Sequence, residues 1–134
     1  MIENIRKALD SHLATMPPAI DVAWPNRPYD PQIGTPWMRP NLLPTPPRQA
    51  ELGLQGRNAH TGIYQISVFY PAGNGPGRAE DAASALVERF KRGTDVTYAN
   101  HLVRCVMAGY RDGTQEPDWY SLIVEIEYRA YLPN

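Results

Sequence analysis

The residues able to do covalent or metal chemistry are few and scattered. His12, His60 and His101 fall in a predicted helix, a predicted loop and a predicted strand start, and no pair has the spacing of metal ligands. Three surface or edge histidines are the expected outcome. The single cysteine, Cys105, lies in the apolar run Leu102-Val103-Arg104-Cys105-Val106-Met107, where a thiol serves as a small core residue. None of Ser11, Ser67, Ser84 and Ser121 occupies a Gly-x-Ser-x-Gly turn. The run Gly73-Asn74-Gly75-Pro76-Gly77 joins a predicted strand to a predicted helix and invites comparison with a phosphate cradle. Its spacing fits neither the dinucleotide pattern nor the Walker loop, Pro76 removes a backbone donor, and a crossover needing unusual dihedrals accounts for the glycines. Glu125 and Glu127 stand two apart in a predicted strand and so share its outward face, with nothing to place them in a cleft. No catalytic residue, cofactor or metal is expected, and the chain reads as a non-enzyme.

The composition narrows the classes further. The chain has 134 residues, the size of one domain, with 43% hydrophobic and 20% charged residues, which argues against wholesale disorder. Thirteen basic residues against fourteen acidic ones argue against holding nucleic acid by charge. One cysteine excludes an intramolecular disulfide. No apolar run reaches the roughly 20 residues that span a bilayer, and the N-terminal stretch lacks the apolar block of a signal peptide. A soluble, reducing compartment is expected. Proline is the outlier. Ten of the fourteen lie between Pro17 and Pro47, interleaved with Trp24, Trp37, Met38, Leu42 and Leu43, which suggests ordered, extended chain lying on a core. Strands there should be edges or short pieces, because proline donates no hydrogen bond.

These residues need elements to position them. Ile2, Ile5, Leu9, Leu13 and Met16 recur at steps of three and four, which predicts a helix ended by Pro17-Pro18. Ile20, Val22 and Trp24 alternate as in a strand, Thr35 to Leu43 reads as extended, and Arg48 to Leu54 reads as a further strand. Ile63 to Tyr70 is a strand with Tyr64, Ile66, Val68 and Tyr70 on one face. A second helix spans Arg78 to Arg92, with Ala82, Ala83, Leu86, Val87 and Phe90 as its apolar stripe and Gly93 as its stop. Strands follow over Asp95–Tyr98, Leu102–Ala108 and Trp119–Tyr131, the last two joined by a loop from Gly109 to Asp118. In the last strand Leu122, Val124, Ile126 and Tyr128 should face the core. Mobile loops are expected at 53–61, 71–77 and 109–118. The fold class is α+β, a mostly antiparallel sheet with two helices on one face, in a single domain over 1–134.

Several of these segments also carry a resemblance. Ala23-Trp24-Pro25-Asn26, then Thr35-Pro36-Trp37-Met38-Arg39-Pro40, then Gly62-Ile63-Tyr64-Gln65-Ile66-Ser67-Val68 before the glycine-rich turn, the helix end Phe90-Lys91-Arg92-Gly93, and the closing run Val124 to Tyr131 together resemble the tail-terminator-like proteins of tailed phages and prophages. That family is related in fold to the lambda-type tail terminator, or minor tail protein U. The resemblance implies a structural role. Copies form a ring, usually a hexamer, which caps the tail tube, stops its polymerisation and joins the head connector, while genomic DNA passes without specific binding. It implies assembly in the host cytoplasm and residence in the virion, with the tail tube protein and head connector as partners, and neither a membrane nor a small-molecule substrate.

A ring requires one patch to meet a different patch on the next copy. The proline-punctuated arm, read with Trp37, Met38, Leu42 and Leu43 exposed, is the candidate interface together with Arg39. Glu125 and Glu127 are the candidate pore-facing pair, because acidic walls release phosphates. Two alternatives are a head–tail connector or completion protein of the neck, and, from another class, a small phosphate- or nucleotide-binding enzyme using Gly73–Gly77.

Overall fold

The structure, a computed structural model, describes residues 2–16, 20–45, 59–73 and 75–131. In chain order the elements are α1 (Ile2–Ala14), β1 (Asp21–Val22), β2 (Trp37–Pro44), β3 (Ala59–Pro71), α2 (Gly77–Arg89), β4 (Asp95–Tyr98), β5 (His101–Gln115) and β6 (Trp119–Tyr131). The strands form one sheet in the order β1-β2-β3-β6-β5-β4. Every neighbouring pair is antiparallel except β1 with β2. The α+β class with two helices on one face is thus the observed architecture.

The centre of the sheet is the β3–β6 pair, in register from Ala59 opposite Tyr131 to Pro71 opposite Trp119. Period-two alternation sends Tyr64, Ile66 and Val68 of β3 and Leu122, Val124, Ile126 and Tyr128 of β6 to one face, where all seven are buried. Both helices close that face. Ile5, Ala8, Leu9 and Leu13 of α1 and Ala79, Ala82, Ala83 and Leu86 of α2 are buried against it, as spacings of three and four require. The helix C-termini are tied to each other. His12 Nε2 donates to the Arg89 carbonyl at 2.8 Å, and Arg89 Nε donates to the His12 carbonyl at 3.1 Å. Each side chain thereby satisfies a carbonyl left over at a helix end. His12, expected at the surface, is a half-buried clasp, and its ring meets Phe90 edge-on at 4.9 Å.

Two strand expectations need correction. The segment 109–118 is not a loop. The strand β5 continues to Gln115, and the connection to β6 is only residues 116–118. Gly109 and the Asp112-Gly113-Thr114 run read as turn chemistry, but β6 supplies ladder partners to Gly109, Asp112 and Gln115, and only 113–114 are skipped. Register shifts after Cys105 and after Asp112 take up the irregularity. At Gly113 a Cβ would collide with the Ser121 Oγ, so the shift is built around a missing side chain. The strand β2 is likewise no edge piece by position, since it lies between β1 and β3. Yet β1 pairs only with Trp37 and Met38, so Pro40 and Pro44 fall where β2 has a single strand neighbour. The strand expected over Arg48–Leu54 and most of the loop expected over 53–61 lie outside the described residues; 59–61 belong to β3.

One buried polar contact joins helix to sheet. The Tyr64 hydroxyl donates to Asp10 Oδ1 at 2.5 Å. Burial raises the Asp10 carboxyl above its ordinary 3.8, and the Tyr64 hydrogen bond and Arg6 pull it down by less. The folded state therefore holds this proton more tightly than the unfolded chain. The stabilisation is complete below pH 3.8 and is lost as pH rises through the higher folded value. Asp10→Asn imitates the protonated acid and keeps an oxygen for Tyr64. It should melt no lower than the parent at neutral pH, and it should flatten the parent's decline in melting temperature above pH 4.

Candidate functional site

Among the described residues no helix covers the second face of the sheet, and most of the sequence-predicted site residues lie on it. Register places Trp37, Arg39, Asn41 and Leu43 of β2 beside Phe69, Ser67, Gln65 and Ile63 of β3. These in turn lie beside Ser121, Ile123, Glu125 and Glu127 of β6. Beyond β6 come Arg111, Gly109 and Met107 of β5. The proposed interface and pore residues therefore split by alternation. Trp37, Arg39, Leu43, Glu125 and Glu127 share the open face, while Met38 and Leu42 point to the helix-covered face, Met38 being 4% exposed.

Trp37 is on the open face but is not exposed. It stacks on Phe69 with ring centroids 4.1 Å apart and planes at 10°, meets Trp119 edge-on at 6.0 Å and lies 5.4 Å from Tyr29. This aromatic corner, with Ala23, is a second small core that seals one end of the open face. The expectation that Trp37 and Met38 form an exposed patch is thus corrected. Each large side chain is consumed by packing within its own chain, one on either side of the sheet. Arg39 remains exposed, with its guanidinium carbon 5.4 Å from the Phe69 ring centroid, a cation–π geometry. Leu43 remains 47% exposed.

The acidic pair is not an uncompensated acidic wall. Arg111 Nε donates to Glu125 Oε1 at 2.9 Å. Arg104 sits directly opposite Arg129 on β6 and is held by both carboxylate oxygens of Asp95 at 2.8 and 3.2 Å. That pairing holds the Asp95 carboxyl below its usual range. The face thus carries Arg39, Arg111 and Arg129 beside Glu125 and Glu127. Cross-strand register brings in cations that the alternation of β6 alone does not reveal. Solvent screens these exposed ion pairs, so each adds little to stability. They set charge pattern more than stability.

Elsewhere the chemistry stays scattered. Among the described residues no group of three His, Cys, Asp or Glu side chains could hold a metal ion. Cys105 is buried, and burial pushes its thiol up to about 11, so it is not a nucleophile at neutral pH. Gly73 and Gly75 have φ of 92° and 73°, left-handed values that require glycine without any ligand. Beside that turn, Arg78 lies 5.5 Å from the Tyr70 ring centroid. A groove of about 490 Å³ runs between α1 and residues 24–27. There Lys7 is held by Glu3 at 3.0 Å and Asp10 by Tyr64. What sequence reasoning missed is the aromatic corner and the exposed apolar margin of β5, with Val106 at 37%, Met107 at 59% and Tyr110 at 45% exposure. No local pattern marks either one, because both depend on which strands become neighbours.

Comparisons with known proteins agree with this architecture. A solved protein known only by a sequence label superposes with a TM-score of 0.79 at 21% identity, covering 100% of this chain and 98% of its own. A chain from the virion of a native gene transfer agent particle superposes with a TM-score of 0.67 at 17% identity, covering 98% and 97%. At these identities the two likenesses show the fold alone. No curated protein matches. A family model described as phage tail terminator protein matches residues 4–128. That match spans the helices, the sheet and nearly all of the open face, so the chain belongs to the phage tail terminator protein family and is a structural protein of the phage tail.

Proposed function

We propose that this protein assembles as a ring, a hexamer, on the end of the tail tube, halts tube polymerisation there and presents a surface to the head connector. The observation that carries the proposal, given the family, is the uncovered sheet face. Among the described residues all six strands contribute to it, no helix packs on it, and it offers charge and apolar area for protein contact but no convergent catalytic groups. The molecule acts by fitting against copies of itself and against other virion proteins, assembled in the host cytoplasm, and genomic DNA passes without base readout. Trp37 supports the contact indirectly, by holding Phe69 and hence Arg39 in place. Electron microscopy of particles made without this protein tests the reading. Loss of a terminator gives tubes of uncontrolled length. Tubes of normal, uniform length that fail to join heads favour a neck connector or completion protein instead.

A further inference from the structure

The ring reading requires two different patches, and Arg39 on the β2 margin supplies only one of them. Resting on that reading, we propose that the second patch is the depression beside β5, and that it receives Arg39 of the next copy against Glu127.

The depression, about 280 Å³, is lined by Met107, Tyr110, Arg111, Glu125 and Glu127 among others. Arg111 is already held by Glu125, so one guanidinium against two carboxylates leaves a net charge of −1, located on the exposed Glu127. Its rim is apolar at Met107, which stands opposite Glu127 and is 59% exposed, whereas Tyr110, opposite Val124, alternates to the helix-covered face. Among the described residues the outer edge of β5 is also unoccupied by a strand beyond Arg104, because β4 pairs with it only from His101 to Arg104. At the opposite margin Arg39 is exposed, is oriented by Phe69 and has no carboxylate partner among the described residues. A free cation on one margin and a free anion in an apolar-rimmed hollow near the other are complementary. Arginine seated in such a hollow is a common interface anchor.

Arg39 cannot satisfy Glu127 of its own chain. They are separated by the strand β3, a lateral span of roughly 10 Å, and by four residues along the strands, roughly 13 Å. The contact is therefore between copies. Prolines at 40 and 44 disfavour backbone pairing between the two margins, which leaves a side-chain contact. This assigns Glu127 to the subunit contact and not to the lumen.

The test is a charge exchange, read by sedimentation and native mass on tail tubes purified from particles lacking this protein. Arg39→Glu and Glu127→Arg should each weaken assembly by roughly tenfold or more, through like charges at every contact. The chain carrying both changes should assemble again, and so should an equimolar mixture of the two single variants, as an alternating ring. Circular dichroism melts matching the parent guard against misfolding. Singles that assemble like the parent, or folded double variants and mixtures that stay unassembled while the parent forms rings, overturn the proposal and leave the ring reading intact. Restored particles of only two copies overturn it in favour of a two-fold contact. A parent that never assembles on tubes overturns both.

Discussion

Phe90→Ala should remove roughly 3–5 kcal/mol of stability, read as a fall in the urea midpoint with an unchanged slope. Phe90 is fully buried at the end of α2, and its backbone N–H caps the Leu86 carbonyl at 3.0 Å. Its ring meets His12 of α1 at 4.9 Å and Tyr64 of β3 at 5.9 Å. It is thus the side chain on which both helices and the central sheet converge. Truncation opens a cavity that none of the three can close alone, because the His12–Arg89 clasp fixes the helix ends. Domains of this size have only about 5–15 kcal/mol to lose. Phe90→Leu should recover more than half of the loss. A change below about 1 kcal/mol for the alanine variant would mean that the helices pack independently of each other.

Trp37→Ala should cost a comparable amount, roughly 3 kcal/mol or more, even in a chain that is strictly monomeric. The indole is 8% exposed and stacked on Phe69, with Trp119 and Tyr29 against its remaining sides. A residue reserved for a partner would instead leave monomer stability within about 0.5 kcal/mol. The two outcomes separate cleanly in a denaturant melt at low concentration. The expected result has a practical corollary: loss of assembly in Trp37→Ala reports a collapsed aromatic corner, whereas Arg39→Glu changes an exposed charge and reports the contact itself.

The comparison of sequence with structure has a consistent physical pattern. The helix α1, the helix α2 and the strand β6 were legible because their signals are local. Apolar steps of three and four, or strict alternation, repeat within a dozen residues, and Leu122, Val124, Ile126 and Tyr128 are buried as expected. The far half of β5 was not legible. Gly109, Asp112 and Gly113 favour turns, and only the ladder that β6, a non-local partner, offers on either side of the irregularity at 113–114 keeps the segment extended. The arm around Trp37 shows the opposite error. Its extension is legible in the sequence, but treating Trp37, Met38, Leu42 and Leu43 as one patch ignores the period of two that places them on alternate faces. The charge character of the open face was hidden for the same reason. Glu125 and Glu127 announce themselves on one strand, whereas Arg39, Arg111 and Arg129 join them only through register.

The notched margins of the sheet have a consequence for the molecule's own fate in a crowded cell. An open strand edge is a template on which further chains can stack without limit, the route to cross-β fibres. Pro40 and Pro44 deny that template on one side, and the irregularities after Cys105 and after Asp112 leave fewer than ten regular residues on the other. A member of the tail terminator family is thereby built so that it does not start a polymer of its own, and concentrated solutions of the folded chain should stay dark to thioflavin T.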